Sequence, residues 1–299
     1  MGLDIWTLAG TAAKLLILLA AAGVIGGSFS IGLAQRLAFG WQPAVGNCLL
    51  VSAVLGLLAT VVFFLVQVGA VNQSGIGGML DQQMGLILAQ SSVGAAAGLR
   101  LFGFASVLAA SYLSRRPGAN GVLSYGKSSF LLLGLAVSLL AISFALTGHT
   151  STQAWTVRAA IALHVVAAFA WVGSLYPLLR LSTSADLLQV QKLMRAFGTS
   201  AMLIVAALLL SGIFMLTQLL QSFSELLATD YGRIMVLKLT GVTALLALAG
   251  INKLLLVPRL TAGNSVAKLR ASIRLEIIVA LFILAVTTWL TSAVGPAAL

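Results

Sequence analysis

The stretch CLLVSAVLGLLATVVFFLV, Cys48–Val66, decides the fold class of this chain. It contains no charged residue and belongs to an apolar run longer than the roughly 20 residues that span a bilayer as a helix. The whole chain of 299 residues is 60% hydrophobic and 8% charged, with a mean hydropathy of +1.10, whereas soluble domains carry about 25% charged residues. Because the apolar runs are continuous rather than alternating, an outer-membrane barrel is excluded. We therefore predict an all-α protein, a polytopic transmembrane helical bundle.

About eight spans are predicted by length, within one integral membrane domain that covers residues 1–299. They lie at approximately 11–34, 45–71, 93–113, 126–148, 155–180, 196–221, 232–257 and 271–294. The third span is the least regular, because Arg100 falls in its first half. The segment 79–90 is too short and too polar to span, so we expect it to lie along the membrane interface. The first run is expected to be a retained helix rather than a signal peptide, since no basic residue precedes Lys14.

Glycine pairs at helical spacing predict where helices approach closely. Gly23/Gly27 and Gly94/Gly98 both fit the small-xxx-small pattern of packed membrane helices.

The charges predict the orientation of the bundle. Most of the 17 basic residues fall in one set of loops, whereas most of the six acids fall on the opposite side. Basic loops face the cytoplasm by the positive-inside rule, so we expect both termini to lie on the outer side. This rule also explains the net charge of +11 without a nucleic-acid partner.

One sequence motif suggests nucleotide binding, and its context argues against that function. GVLSYGKS, from Gly121 to Ser128, fits the phosphate-binding loop pattern. Such a loop requires a strand before it and a soluble helix after it. Here the motif follows a polar turn and leads directly into the fourth predicted span. We therefore predict neither ATP hydrolysis nor another enzymatic activity.

The two histidines of the chain, His149 and His164, lie in one predicted hairpin. His149 ends the fourth span at the outer face, and His164 lies about 13 Å into the fifth span, at the rise of an α-helix. A histidine inside a span is costly to place, which favours a functional role over packing. Neutral imidazole binds copper, zinc, iron and nickel, and two imidazoles suit Cu(I), which accepts few ligands. Because there is a single cysteine, Cys48, no cysteine-pair metal site exists.

Other side chains on the outer side are weaker candidates. Met215 and Met235 could supply thioether ligands to copper, although methionines more often only pack. Asp230 and Arg233 could pair across one turn and stabilise the start of the seventh helix. Lys238 lies deeper and needs a carboxylate, a carbonyl or a route to the interface. Structural roles, an electrostatic gate and an anchor for a metal site all remain open for this group.

Three segments resemble the CopD copper resistance family, whose members are inner-membrane copper proteins of bacteria. They are GHT followed by LHVVAAFAWVGSLYPLL, TDYGRIMVLKLTGVTALLALAGINKLLLVPRL, and LRASIRLEIIVALFILAVTTWLTSAVGP. The resemblance covers most of residues 140–296 and is looser before that. It implies that His149 and His164 are the copper ligands. It also places five residues at family-typical positions without an assigned role: Trp171, Tyr231, Arg233, Lys238 and Asn252.

Together these features predict a multi-pass protein of the bacterial inner membrane that imports copper from periplasm to cytoplasm without ATP hydrolysis. A cation gains about 2.3 kcal/mol per 100 mV on moving to the negative interior, which favours import. Two alternatives stay open: a haem-binding electron-transfer protein, and a membrane scaffold that hands copper to an oxidase or a periplasmic chaperone. Besides the lipid bilayer, the partners considered are a periplasmic copper-binding protein and further copies of the chain.

Overall fold

The computed structural model describes residues 4–39, 43–114, 125–147, 153–184, 186–219, 225–260 and 265–294. These parts of the chain are helical and contain no strand. Eight helices in them are long and apolar enough to cross a membrane. The polytopic all-α bundle predicted from the sequence is thereby confirmed.

Four long helices form the first half of the bundle: α1 (Ile5–Arg36), α2 (Pro43–Asn72), α4 (Ser92–Ser114) and α5 (Lys127–Ala145). Between α2 and α4, a 3-10 helix (Ile76–Leu80) and the short α3 (Gln82–Ala89) occupy the segment predicted to be interfacial. Asp81 caps α3, because its Oδ1 accepts a hydrogen bond of 2.8 Å from the Met84 backbone amide. The α3 segment is too short to cross a bilayer.

The second half contains α6 (Trp155–Val172), α7 (Leu175–Leu181), α8 (Leu187–Leu219), α9 (Glu225–Ala228), α10 (Asp230–Ile251) and α11 (Ser265–Trp289). Asn252–Leu256 continue α10 as a π-helix, and Leu290–Val294 continue α11 in the same way. The helix α1 lies at the centre of the bundle, packed against α2, α5, α6, α8 and α11.

Three helices begin at least six residues earlier than the sequence predicts, and the first of them begins at Ile5 rather than at 11. The sixth span begins at Leu187 rather than at 196, and the eighth begins at Ser265 rather than at 271. Their first turns carry exposed basic residues such as Lys192 and Lys268. The apolar face of each turn is nevertheless buried against the bundle, at Val190, Leu193 and Leu269 among others. Hydropathy therefore locates only the apolar run. Each of these helices begins before that run, in an amphipathic segment.

The fifth span is divided by a break at Gly173 and Ser174, where α6 ends and α7 begins. A Cβ atom added at Gly173 would lie 1.8 Å from the Ala22 carbonyl oxygen of α1, and one added at Gly26 would lie 2.1 Å from the Gly173 carbonyl carbon. The Ser174 hydroxyl lies 3.1 Å from the Gly26 carbonyl oxygen. Only residues without a side chain permit this approach of two backbones.

Of the two predicted glycine pairs, only one packs helices together. Cβ atoms at Gly23 and Gly27 would lie 2.1 Å from Ser52 Oγ and 2.8 Å from a Leu49 methyl group, so this pair lies against α2. In the second pair, Gly94 lies against the end of α3, where an added Cβ would be 2.1 Å from the Ala89 carbonyl oxygen. The prediction is wrong for Gly98, because nothing lies within 4 Å of a Cβ at that position.

Arg100 is part of the third span and is 5% exposed. Its Nε donates a hydrogen bond of 3.3 Å to Ser143 Oγ of α5. The guanidinium carbon lies 5.1 Å from the centre of the Phe144 ring and 6.0 Å from that of Phe63. Aromatic faces and a hydroxyl thus stabilise the cation inside the helical bundle.

Candidate metal centre

His164 is held between two helices of the second half of the bundle. It lies on α6 and is half-buried, at the predicted depth of about 13 Å from the start of that helix. Its Nδ1 atom lies 3.2 Å from the Leu208 carbonyl oxygen and 3.3 Å from Ser211 Oγ, both on α8. The ring therefore joins α6 to α8 well inside the span.

The partners of Nδ1 fix the tautomer of this imidazole. A carbonyl oxygen such as that of Leu208 can only accept a hydrogen bond. The Ser211 hydroxyl lies 2.6 Å from the Ala207 carbonyl oxygen, to which it donates its proton, so its lone pairs face Nδ1. With two acceptors beside it, Nδ1 carries the proton of the neutral ring, and Nε2 keeps a lone pair. Within the described residues Nε2 has no hydrogen-bond partner, so it is the ring atom that can bind a metal.

Gly212 provides the space that the ring occupies. A Cβ atom at this position would lie 3.1 Å from His164 Cε1 and 3.4 Å from Nδ1. Serine and glycine at adjacent positions of α8 thus position the imidazole, one by a hydrogen bond and the other by lacking a side chain. Neither residue is prominent in the sequence, because serine and glycine are common throughout membrane helices.

His149 lies outside the described residues, as does the turn that precedes α6. The predicted meeting of the two imidazoles therefore stays a prediction. In the described part of the chain, no three side chains of His, Cys, Asp or Glu converge to form a metal site.

The two methionine candidates lie on α8, which holds the His164 ring, and on α10. Met215 follows Ser211 by one turn on the same face of α8 and is half-buried. Met235 is buried on α10, one turn before Lys238. Lys238 lies close enough to His164 to interact with it electrostatically. Ligation by either thioether stays a prediction.

Asp230, Tyr231 and Arg233 lie at the start of α10. The predicted ion pair is present, with Arg233 Nη1 3.7 Å from Asp230 Oδ1, although both side chains are largely exposed. Arg233 Nε also donates a hydrogen bond of 3.1 Å to the Leu227 carbonyl oxygen. Thr229 caps the helix by accepting from the Gly232 amide at 3.0 Å. These contacts stabilise the beginning of a helix, and exposed pairs of this kind contribute little energy.

Trp171 is 2% exposed and belongs to the hydrophobic core at the end of α6. It lies directly before the break between α6 and α7.

Sequence reasoning missed one buried acid. Glu276 lies on α11 and is 3% exposed, beside the Asn252 side chain. Its position in the sequence could have identified it, because it is the one acid within the predicted span 271–294. An ionisable residue inside a span is a functional candidate by default.

Three basic side chains also lie inside the bundle without a carboxylate within 4 Å among the described residues: Lys14, Arg100 and Lys238. Lys14 Nζ donates a hydrogen bond of 3.2 Å to the Thr291 carbonyl oxygen, and its charge interacts with that of Arg100.

Comparison with known proteins gives two family matches. Residues 4–156 match the family described as copper resistance protein D-like, N-terminal domain, and residues 191–290 match copper resistance protein D. His149 lies inside the first match, whereas His164 lies between the two. No similar sequence was found among curated proteins and no similar chain among solved structures.

Proposed function

Since the chain belongs to the copper resistance protein D family, we propose that it carries copper ions across the bacterial inner membrane without ATP hydrolysis. The direction is from periplasm to cytoplasm, with both termini on the periplasmic side. His149 captures the ion near the outer surface, and His164 receives it within the membrane.

The observation that supports this proposal is the arrangement of the His164 ring. Metal-binding histidines commonly donate their second ring N–H to a carbonyl oxygen or a carboxylate, which fixes the ring and raises the basicity of the ligating nitrogen. The Leu208 carbonyl oxygen and Ser211 Oγ provide such a contact to Nδ1. This leaves Nε2 as a neutral ligand inside a span, where an imidazole without a role would be costly.

The charge near the site favours Cu(I) over Cu(II). A protonated Lys238 would repel a bound cation, and this repulsion is twice as large for a dication as for a monocation at the same distance. Cu(I) is a d¹⁰ ion that accepts low coordination, so the two imidazoles of His149 and His164 suit it.

The proposal is tested by copper binding to the purified full chain in nanodiscs, titrated with Cu(I) against a competing chelator. We expect wild type to bind copper stoichiometrically and His164→Ala to lose that binding. Leu163→Ala is the matched control, since this neighbouring side chain is half exposed toward lipid and should not affect copper. Unchanged copper affinity in His164→Ala would contradict the proposed role of this residue.

The two alternative functions, a haem protein and a copper scaffold, predict different results for the same purified chain. A haem protein would purify with a Soret absorption band, which the copper proposal does not predict. A scaffold would bind copper yet fail to move it across a vesicle membrane.

A further inference from the structure

Glu276 is an acid buried inside the bundle without a positive partner. It lies about 16 Å from the start of α11, in the half of the helix nearer to its basic first turns. Among the described residues no lysine, arginine or histidine nitrogen lies within 4 Å of its carboxyl group. An ionised carboxylate is costly in such surroundings unless a cation or several donors compensate it.

The charged groups on the neighbouring elements have other contacts. Lys253 runs beside Gly198 of α8, and Arg270 of α11 donates a 2.6 Å hydrogen bond to the Ser182 carbonyl oxygen. Lys14 of α1 bonds Thr291, near the opposite end of α11. The remaining titratable groups of α1, α7 and α11 in this half are solvent-exposed: Arg36, Tyr176, Arg180, Lys268 and Arg274. Those of α10 lie near its other end: Asp230, Tyr231, Arg233 and Lys238.

Asn252 lies beside the Glu276 carboxyl group and presents both a donor and an acceptor to it. It is 8% exposed, and its amide N–H donates to the carboxyl group. Its Oδ1 atom is buried and has no hydrogen-bond donor within the described residues. An ionised Glu276 offers only acceptors, so it leaves this oxygen unpaired. A carboxylic acid offers an O–H, and it can form two complementary hydrogen bonds with the amide.

The backbone around Asn252 is also specialised. This residue begins the π-helix Asn252–Leu256, and single π-turns in α-helices occur frequently at functional sites. Ser272 lies one turn before Glu276 on α11, on the side of the basic first turns. Its Oγ is buried and has no partner in the described structure. A second polar atom therefore lies between the Glu276 carboxyl group and the helix end predicted to be cytoplasmic.

From these contacts we infer that Glu276 and Asn252 form a proton-binding site in the membrane, in which Glu276 holds a proton that it exchanges with the cytoplasmic side through the position of Ser272. The ligand of this site is the proton itself. The inference does not depend on copper binding at His164, which lies on other helices.

Infrared spectroscopy of the copper-free full chain in nanodiscs tests the site directly. At neutral pH we expect the C=O stretching band of a protonated carboxylic acid in wild type, because Glu276 is buried whereas Asp4, Asp81, Asp186 and Asp230 are exposed. The band should be absent in Glu276→Gln, which keeps the size and the amide contact of the side chain. Asp186→Asn removes an exposed acid that caps α8 and should leave the band unchanged.

Two further measurements separate a proton site from a merely structural pair. Transfer to D₂O should shift the band if the proton exchanges with solvent. Asn252→Leu should shift its frequency, since the hydrogen bond to the acid is lost. A wild-type spectrum without the band, or a band that persists in Glu276→Gln, would overturn the inference. A band that D₂O leaves unshifted would overturn the exchange. If the purified chain does not bind copper, only the proposed function is contradicted, because the infrared experiment uses the copper-free chain.

Discussion

At the scale of single residues, the protein uses backbone and small side chains to position its one described histidine. The ring of His164 is held by a carbonyl oxygen and a hydroxyl of α8, and Gly212 leaves room for it. The sequence predicts the depth of His164, since depth depends on helix rise alone. It does not predict Ser211 as a partner, because a contact across 47 positions depends on how α6 and α8 pack.

Removing the Ser211 hydroxyl should weaken copper binding without abolishing it. In Ser211→Ala the Leu208 carbonyl oxygen still accepts from Nδ1, so the ring keeps one of its two contacts. Changes in such supporting contacts typically cost 10- to 100-fold in metal affinity, and we expect a loss of about 10-fold in a competitive Cu(I) titration. Ser200→Ala is the control, because this serine of α8 bonds only Ala196 within its own helix. Equal losses in both variants would show that the effect is not local to His164.

At the scale of helices, close packing around α1 determines how the fifth span is arranged. The break between α6 and α7 coincides with the contact between Gly26 and Gly173, and the Ser174 hydroxyl lies between the carbonyl oxygens of Ala170, at 2.6 Å, and Gly26, at 3.1 Å. A polar group that reaches across two helices in this way replaces hydrogen bonds that lipid cannot provide.

Gly173→Ala should therefore destabilise the folded protein. Its Cβ would meet the Ala22 carbonyl oxygen at 1.8 Å, and a backbone atom cannot move aside as a flexible side chain can. Overpacking typically costs 1–3 kcal/mol, so we expect a Tm several degrees lower by fluorescence-detected size-exclusion chromatography. Gly134→Ala in α5 has open space around the new methyl group, and should keep or raise the Tm. A Gly173→Ala protein as stable as Gly134→Ala would contradict this packing.

The number and approximate positions of the spans follow from the sequence because charge-free runs of sufficient length have few alternatives in a membrane. The early starts of α8 and α11 do not follow, since their first turns are amphipathic and hydropathy registers only the apolar run. The π-helices at Asn252–Leu256 and Leu290–Val294 and the break at Gly173 depend on tertiary contacts that no local pattern encodes.

At the scale of the whole molecule, charge is distributed unevenly within the bundle. Lys14, Arg100 and Lys238 are basic groups without a carboxylate within 4 Å in the described chain, whereas Glu276 is a buried acid nearer the opposite end. In the predicted orientation the basic groups lie toward the periplasm and the acid toward the cytoplasm. A cation that moves inward past these basic groups leaves a repulsive region behind, which agrees with import as the proposed direction.

The measurement that tests copper import most directly is Cu(I) uptake into proteoliposomes that contain only this chain. Vesicles hold a copper-sensitive dye inside, and a potassium gradient with valinomycin sets the potential. Protease access to a C-terminal tag identifies vesicles in which the predicted periplasmic side faces outward. We predict uptake that increases with a negative interior, up to about 50-fold accumulation per 100 mV, and that is lost in His149→Ala and His164→Ala. Uptake no faster than in protein-free vesicles, or equal in wild type and both variants, would contradict the account.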